Sequence, residues 1–229
     1  MQNEKIKIDV VSDVACPWCY VGKKRLEKAL EQWNTTAVEV EWHPYQLNPY
    51  MPSEGLDRET YLGNKFGSIE RVQPMIDRLQ SAGATEGIHF NFGDNWLAVN
   101  TLPLHQLLHV AREEGFGAQL KERLLKAYFD ENLHLNKPEI LHKIMEAYGW
   151  DAKKTDDILA DENIAYKVKQ EISHYQQLGV KAVPFFIINN KYAISGAQPT
   201  AIFLEALNKI GPIAQLKEGD SCNPETDSC

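Results

Sequence analysis

The sequence predicts an α/β fold in which a large all-helical region is inserted between a β-α-β half and a β-hairpin-α half. Three observations predict it. Strand-like stretches are confined to the two ends of the chain, at residues 5–12 and 38–43 and again at 185–188 and 191–195. Between about residue 50 and residue 178 the apolar positions recur at helical spacing instead. The first two strands are joined by a helical pattern with Leu26, Ala29, Leu30 and Trp33 on one face. A strand–helix–strand unit of this kind closes as a right-handed crossover and leaves its strands parallel.

The elements follow in order. Ile6, Ile8 and Val10 alternate with Lys7 and Asp9, and the strand ends in the apolar pair Val10-Val11. Residues 13–15 read as a loop. In the helix that follows, Lys23, Lys24 and Arg25 are expected to form a solvated face. The second strand exits between Pro44 and Pro49. Helices are then expected over residues 56–66 and 69–82, separated by Gly67, with Pro74 close enough to the start of the second to be tolerated. Residues 89–92 alternate briefly, as a short strand would. Residues 100–114 carry Leu104, Leu107, Leu108 and Ala111 on one face, and Gly115-Phe116-Gly117 breaks the pattern. Further helices are expected over 118–129, over 138–148 with Pro138 in the first turn, over 152–160, and over 164–178 with Gly179 as its C-cap. Asn189-Asn190 makes the turn of the closing hairpin, and a helix over 200–210 completes the fold. Beyond residue 211 the chain turns polar, with one base and four acids over residues 217–229, which predicts an unpacked tail. The expected organisation is therefore a discontinuous domain of residues 1–49 and 179–212, an insert of residues 50–178, and a tail of residues 213–229.

Composition narrows the function classes. With 229 residues, 43% of them hydrophobic, the chain can bury a core without disulfide staples. A net charge of −8 lacks the basic footprint that nucleic acid or an anionic membrane requires, so neither is expected as a partner. No run of about 20 apolar residues and no signal-peptide pattern is visible, so a cytoplasmic location is expected. Four cysteines are too few for a disulfide scaffold. They fall into two pairs, Cys16 with Cys19 and Cys222 with Cys229.

The first pair carries the chemistry. Cys16-Pro17-Trp18-Cys19 follows a strand and opens a helix, so its two thiols can meet across one turn. Cys16 lies over the unpaired N–H groups at the positive end of the helix, which favour an anionic sulfur. Cys16 is thus the expected nucleophile and Cys19 the buried resolving thiol, exchanging disulfides through a mixed disulfide. Pro17 fixes the first turn, and Trp18 is expected to offer an exposed apolar contact beside the sulfur. The same spacing also suits half of a zinc site or a pair of inert thiols. Val183-Pro184 stands just before the closing hairpin, where it would face the thiols.

These residues, taken with others, resemble a known family. Residues Ser12-Asp13-Val14-Ala15-Cys16-Pro17-Trp18-Cys19-Tyr20-Val21-Gly22 and Trp42-His43-Pro44-Tyr45-Gln46-Leu47-Asn48-Pro49 carry the likeness. So do Asn100-Thr101 with His105, Gly179-Val180, Val183-Pro184-Phe185-Phe186 and Ser195-Gly196-Ala197-Gln198-Pro199. Together they resemble the DsbA-like oxidoreductases of the thioredoxin superfamily, within them the cytoplasmic FrnE-type dithiol–disulfide isomerases, across residues 5–210. The resemblance implies a thioredoxin fold interrupted by a helical domain, a cis bond before Pro184 that exposes the Val183 backbone to substrate, and dithiol–disulfide exchange at Cys16 and Cys19. It implies thiol or disulfide substrates, protein or small-molecule, with glutathione or a thioredoxin-system reductant as electron partner. It implies no cofactor and no metal. The chain is also similar in layout to 2-hydroxychromene-2-carboxylate isomerases and kappa-class glutathione transferases. Those carry serine where Cys16 stands and lack the second thiol, so the sequence departs from them at that point and argues against serine-based activation of glutathione. A glutathione-dependent isomerase or transferase acting on a small organic substrate is the alternative reading.

Several residues admit two readings. Cys222 and Cys229 suit either an auxiliary redox pair serving Cys16 or two solvated thiols. His43 suits either a place behind the active site or a satisfied histidine beside Trp42. His105 and His109 stand four apart on a helix, a spacing that metal pairs and ordinary helical histidines share. Asn100 is expected to cap its helix. Phe90, Phe92, Trp96 and Tyr128 suit either core packing or the wall of a cleft facing Cys16.

Overall fold

Strand β1 (Ile6–Ser12) runs through the middle of the sheet and sets the register of its neighbours. The computed structural model describes residues 5–33 and 38–209 of the chain. β1 pairs in parallel with β2 (Val38–Pro44), Ile8 opposite Val40, and antiparallel with β5 (Phe185–Ile188), Val10 opposite Phe186. β5 turns back into β6 (Tyr192–Ser195), giving the order β2-β1-β5-β6. Helix α1 (Pro17–Trp33) and helix α9 (Thr200–Asn208) cover one face. Alternation along the strands sends Ile6, Ile8 and Val10 to that face, where they bury against Leu26, Ala29, Phe186 and Phe203. The turn at Asn189 and Asn190 is formed with both residues at positive φ, which asparagine tolerates.

The same alternation sends Lys7, Asp9, Glu41 and His43 to the other face. Charged groups there survive burial only when paired. Lys7 Nζ lies 3.0 Å from Asp9 and 2.8 Å from Glu41. His43 Nε2 lies 2.8 Å from Asp9 Oδ1, and its Nδ1 lies 2.7 Å from Glu171 Oε1. Arg112 closes the network, with Nη1 2.7 Å from Glu171 Oε1. His43 is therefore committed to two carboxylates. Burial alone would raise the Glu171 carboxyl, but His109 beside it and the hydrogen-bonded His43 and Arg112 outweigh burial and hold the group well below the usual carboxylate range.

Between β2 and β5 the chain forms helices α2 (Arg58–Phe66), α3 (Ile69–Thr85), α4 (Leu102–Glu113), α5 (Gly117–Phe129), α6 (Pro138–Glu146), α7 (Ala152–Ala160) and α8 (Glu162–Gln177). α4 and α8 supply Arg112 and Glu171 to the polar face of the sheet. No helix among the described residues is long and apolar enough to cross a membrane. Three expectations are corrected. Residues 56–57 do not begin a helix: Leu56–Asp57 is a short strand, β3, paired with β4 (Leu97–Ala98), and the Asp57 side chain caps α2 by accepting from Thr60 N at 2.9 Å. Residues 89–92 form no strand: Asn91 N donates to Phe129 O at 2.7 Å, at the end of a helix and not in a ladder, while Phe90 and Phe92 stack on each other and pack edge-on to Phe129. Lys23, Lys24 and Arg25 are not a solvated face. Lys23 is 4% exposed and pairs with Glu27 and Glu122, Lys24 pairs with Glu122, and Arg25 pairs with Glu86.

The Glu171 network gives a pH-dependent prediction. Glu171→Gln leaves Arg112 and His43 short of a charged acceptor and should cost about 1.5–3 kcal/mol at pH 7. A carboxyl depressed by folding contributes fully above its unfolded pKa of about 4.3 and loses that contribution as pH falls toward its folded value. Urea unfolding should therefore show the gap between wild type and Glu171→Gln narrowing below about pH 4.

Candidate active site

The turn from β1 into α1 places both thiols. α1 begins at Pro17, so Cys16 occupies the cap position, and Pro17 stands where a helix needs no N–H. The Cys16 sulfur takes the capping hydrogen bond: Cys19 N donates to Cys16 Sγ at 3.3 Å and to Cys16 O at 3.1 Å. On the facing side the Val183–Pro184 bond is cis, and Val183 O accepts from the Cys16 thiol at 3.5 Å. α1 approaches this edge closely because residue 22 is glycine. A Cβ there would come within 2.9 Å of Pro184 Cγ and 3.2 Å of the Phe186 ring. Sequence-predicted residues Cys16, Cys19, Pro17, Val183 and Pro184 are thus brought together.

Charge around the thiols comes from residues that sequence reasoning passed over. Asp13, given no role beyond its loop and its place in the motif that carries the resemblance, is 1% exposed. Its Oδ2 accepts from Leu47 N at 2.8 Å, and its Oδ1 accepts from Ala15 N at 3.3 Å and lies 3.3 Å from His105 Nε2. His105 Nε2 also lies 2.8 Å from Tyr45 O, so this nitrogen carries the shared proton. Burial pushes the Asp13 carboxyl up, but the hydrogen bond and charge of His105, the Leu47 amide and the charge of Lys121 outweigh it, and the net shift is down. The Cys19 thiol is pushed well up, first by burial and then by its hydrogen bond and charge interaction with Cys16. Lys121 is 1% exposed; burial pushes its ammonium down, while the charges of Cys19, Asp13 and Cys16 act the other way. Sequence reasoning missed it, although it interrupts an apolar stripe of α5 shared with Leu124, Leu125 and Tyr128.

Trp18 departs from expectation. It is 3% exposed, because helix α3 lies over it and Arg78 stands 6.0 Å from the centre of its ring. Its contact with a substrate would run through a narrow cleft that Pro17 and Trp18 line with Tyr61, Phe92, Trp96 and Tyr128. Two donors in this cleft's walls, Arg58 Nε and Trp96 Nε1, are buried without a hydrogen-bond partner. Phe92, Trp96 and Tyr128 thus serve the core and the cleft together, while Phe90 serves the core. His105 and His109 turn to different partners, Asp13 with Tyr45 O for the first and Glu171 for the second, so they do not converge as a metal pair. Asn100 accepts from Leu102 N at 3.0 Å, the expected capping contact, made from one residue before Thr101, which holds the cap position of α4. Cys222 and Cys229 lie outside the described residues.

A β-α-β half and a hairpin–helix half on one sheet, with a dithiol at the first helix start facing a cis X-Pro bond, define a thioredoxin fold with a helical insertion. The chain belongs to the DSBA-like thioredoxin domain family, whose model matches residues 7–208. It is 30% identical over 208 residues to the uncharacterized protein YwbO of Bacillus subtilis (strain 168), covering 89% of this chain and 96% of that protein. Among solved structures it resembles the probable DsbA oxidoreductase SCO1869 from Streptomyces coelicolor, with 33% identity, a TM-score of 0.83, and coverage of 93% and 94% of the two chains. The fold is also that of the cytosolic disulfide reductase DsbM from Pseudomonas aeruginosa, at 17% identity and a TM-score of 0.62, covering 90% of this chain and 100% of that one.

The close approach at Gly22 is open to test. Gly22→Ala should destabilise the fold by roughly 1–3 kcal/mol, because the methyl group must displace Pro184 or Phe186. Gly63→Ala in α2, where nothing lies within 4 Å of the added Cβ, should instead stabilise by roughly 0.5–1 kcal/mol through helix propensity. Guanidinium unfolding of the two variants checks both signs.

Proposed function

We propose that the protein is a dithiol–disulfide oxidoreductase in which Cys16 attacks and Cys19 resolves. The observation that carries this reading is the Cys16 sulfur at the mouth of α1, receiving the Cys19 amide and lying against Val183 O beside Pro184. Membership of the DSBA-like family supports the same chemistry. In the reductive direction the Cys16 sulfur attacks one sulfur of a substrate disulfide. That S–S bond breaks, a Cys16–substrate bond forms, and the departing sulfur takes up a proton. Cys19 then attacks Cys16, its proton passing to the second substrate sulfur. The substrate leaves as a dithiol, reduced by two electrons, and the protein retains a Cys16–Cys19 disulfide. The reverse sequence oxidises a dithiol, and interruption at the mixed disulfide permits isomerisation.

The raised Cys19 thiol fits the second role. It stays protonated until the mixed disulfide has formed, so attack by Cys16 comes first. The cleft beside Pro17 and Trp18 supports a substrate with an apolar or aromatic part next to its sulfur and an acceptor for Arg58 Nε and Trp96 Nε1. Glutathione or a thioredoxin-type reductant would return the oxidised protein to the dithiol. The DsbM structure with GSH makes glutathione the first electron donor to try.

Cys16→Ser should abolish insulin reduction and the refolding of scrambled ribonuclease. Cys19→Ser should lose turnover and accumulate a mixed disulfide on Cys16, seen by intact-mass spectrometry. Retained turnover in Cys16→Ser would overturn the assignment. Full activity of Cys19→Ser on a small organic substrate with glutathione would favour the glutathione-dependent isomerase or transferase instead.

A further inference from the structure

A second cavity, of about 490 Å³, lies between the outer edge of β2 and the segment joining α4 to α5. It is of the size that accepts small organic ligands. It shares no lining residue with the cleft at Pro17 and Trp18. We propose that this cavity binds a small organic carboxylate, held by the Lys121 ammonium and the first-turn N–H groups of Gly117, Ala118 and Gln119.

Two independent observations meet there. The first is the start of α5. This helix has thirteen residues and no side-chain cap, and its first three residues line the cavity. The N–H groups of a first turn have no partner within their own helix and point at whatever lies before it. A Cβ at Gly117 would come within 2.9 Å of Arg112 Cα, so glycine lets α5 begin close against the end of α4. The second is Lys121, one turn further along the same helix. It lines the cavity, is 1% exposed, and among the described residues has no carboxylate within salt-bridge distance. Its ammonium stands 5.9 Å from the centre of the Trp42 ring. An unpaired ammonium is costly to bury, and a carboxylate in the cavity would remove that cost.

The acids that also line the cavity are already committed. Glu39 pairs with Lys5, Glu41 with Lys7, and Glu171 with Arg112 and His43. The α5 end therefore offers positive charge that no carboxylate of the lining pairs with, while Trp42 and Leu108 offer apolar wall. That combination suits a carboxylate on an apolar body better than a bare phosphate. The inference does not depend on the thiol chemistry.

The test uses the full chain, with sodium benzoate as probe and sodium chloride and inorganic phosphate as controls at matched ionic strength. Benzoate should raise the thermal midpoint saturably, and chloride should not. Lys121→Met removes a buried unpaired charge at similar volume, so it should fold, and it should weaken benzoate at least about tenfold, the loss of one charged contact. Ala118→Glu, at an exposed first-turn position, sets a fixed carboxylate at the same amides and should abolish the benzoate shift even if Lys121→Met fails to fold. No saturable shift, or an undiminished shift in Ala118→Glu, overturns the proposal. A saturable response to phosphate and none to benzoate overturns the organic-carboxylate assignment.

Discussion

Asp13 holds together parts of the chain that would otherwise meet only by packing. Its carboxylate accepts from Ala15 N in the turn before Cys16 and from Leu47 N in the segment leaving β2, and it faces His105 on α4 of the insert. The Asp13 carbonyl accepts from Cys16 N as well. A buried carboxylate with several partners is rigid, because moving any one of them exposes charge to a low-dielectric interior. The position of the cap, and hence of the Cys16 sulfur, follows from that rigidity. So does the position of the insert, since His105 also binds Tyr45 O. Within the thioredoxin half, Gly22 sets the other coordinate by allowing α1 to rest against Pro184.

Electrostatics separates the two sulfurs once they are placed. Cys16 lies at the helix mouth with an amide donor, and Cys19 one turn inward, where burial and its neighbour disfavour a second negative charge. The Cys19 thiol is therefore held in its neutral form, and the sulfur that faces the Val183–Pro184 edge is that of Cys16. Lys121 is the buried cation in this field, contributed by α5 and not by the sheet or α1. The insert thus takes part in setting the charge at the thiols as well as covering them.

The sequence made the scaffold legible because strand alternation and helical periodicity are local signals. The four sheet strands, α1 and the run of helices follow from them, and α7 (Ala152–Ala160) fell where the pattern placed it. What escaped depends on partners distant in the chain. The β3–β4 ladder joins residues about 40 apart with two residues a side, too few for any pattern. Lys23 reads as a solvent-facing lysine until Glu122, nearly 100 residues on, is brought beside it. Trp18 reads as an exposed contact until α3 closes over it. The thiols were legible from spacing and context, whereas Asp13 and Lys121 were not, because burial of a charge is a property of the assembled fold.

The insert explains why the polar face of the sheet exists at all. A sheet covered on both faces by apolar layers would carry apolar residues on both sides of β1 and β2. Here Lys7, Asp9, Glu41 and His43 point toward α4 and α8, which answer with Arg112 and Glu171. Such a network is worth less than apolar packing of equal volume, but it tolerates only the arrangement that pairs every charge. It therefore fixes how α4 and α8 sit on the sheet. Because α5 follows α4 after only Glu114, Gly115 and Phe116, the same arrangement fixes where Lys121 and the first turn of α5 lie. The aromatic cluster of Phe92, Trp96, Tyr128 and Phe129 positions the other side of the insert against Pro17 and Trp18. The polar network and the aromatic cluster thus orient one insert from two sides, and the thiols lie where the two constraints meet.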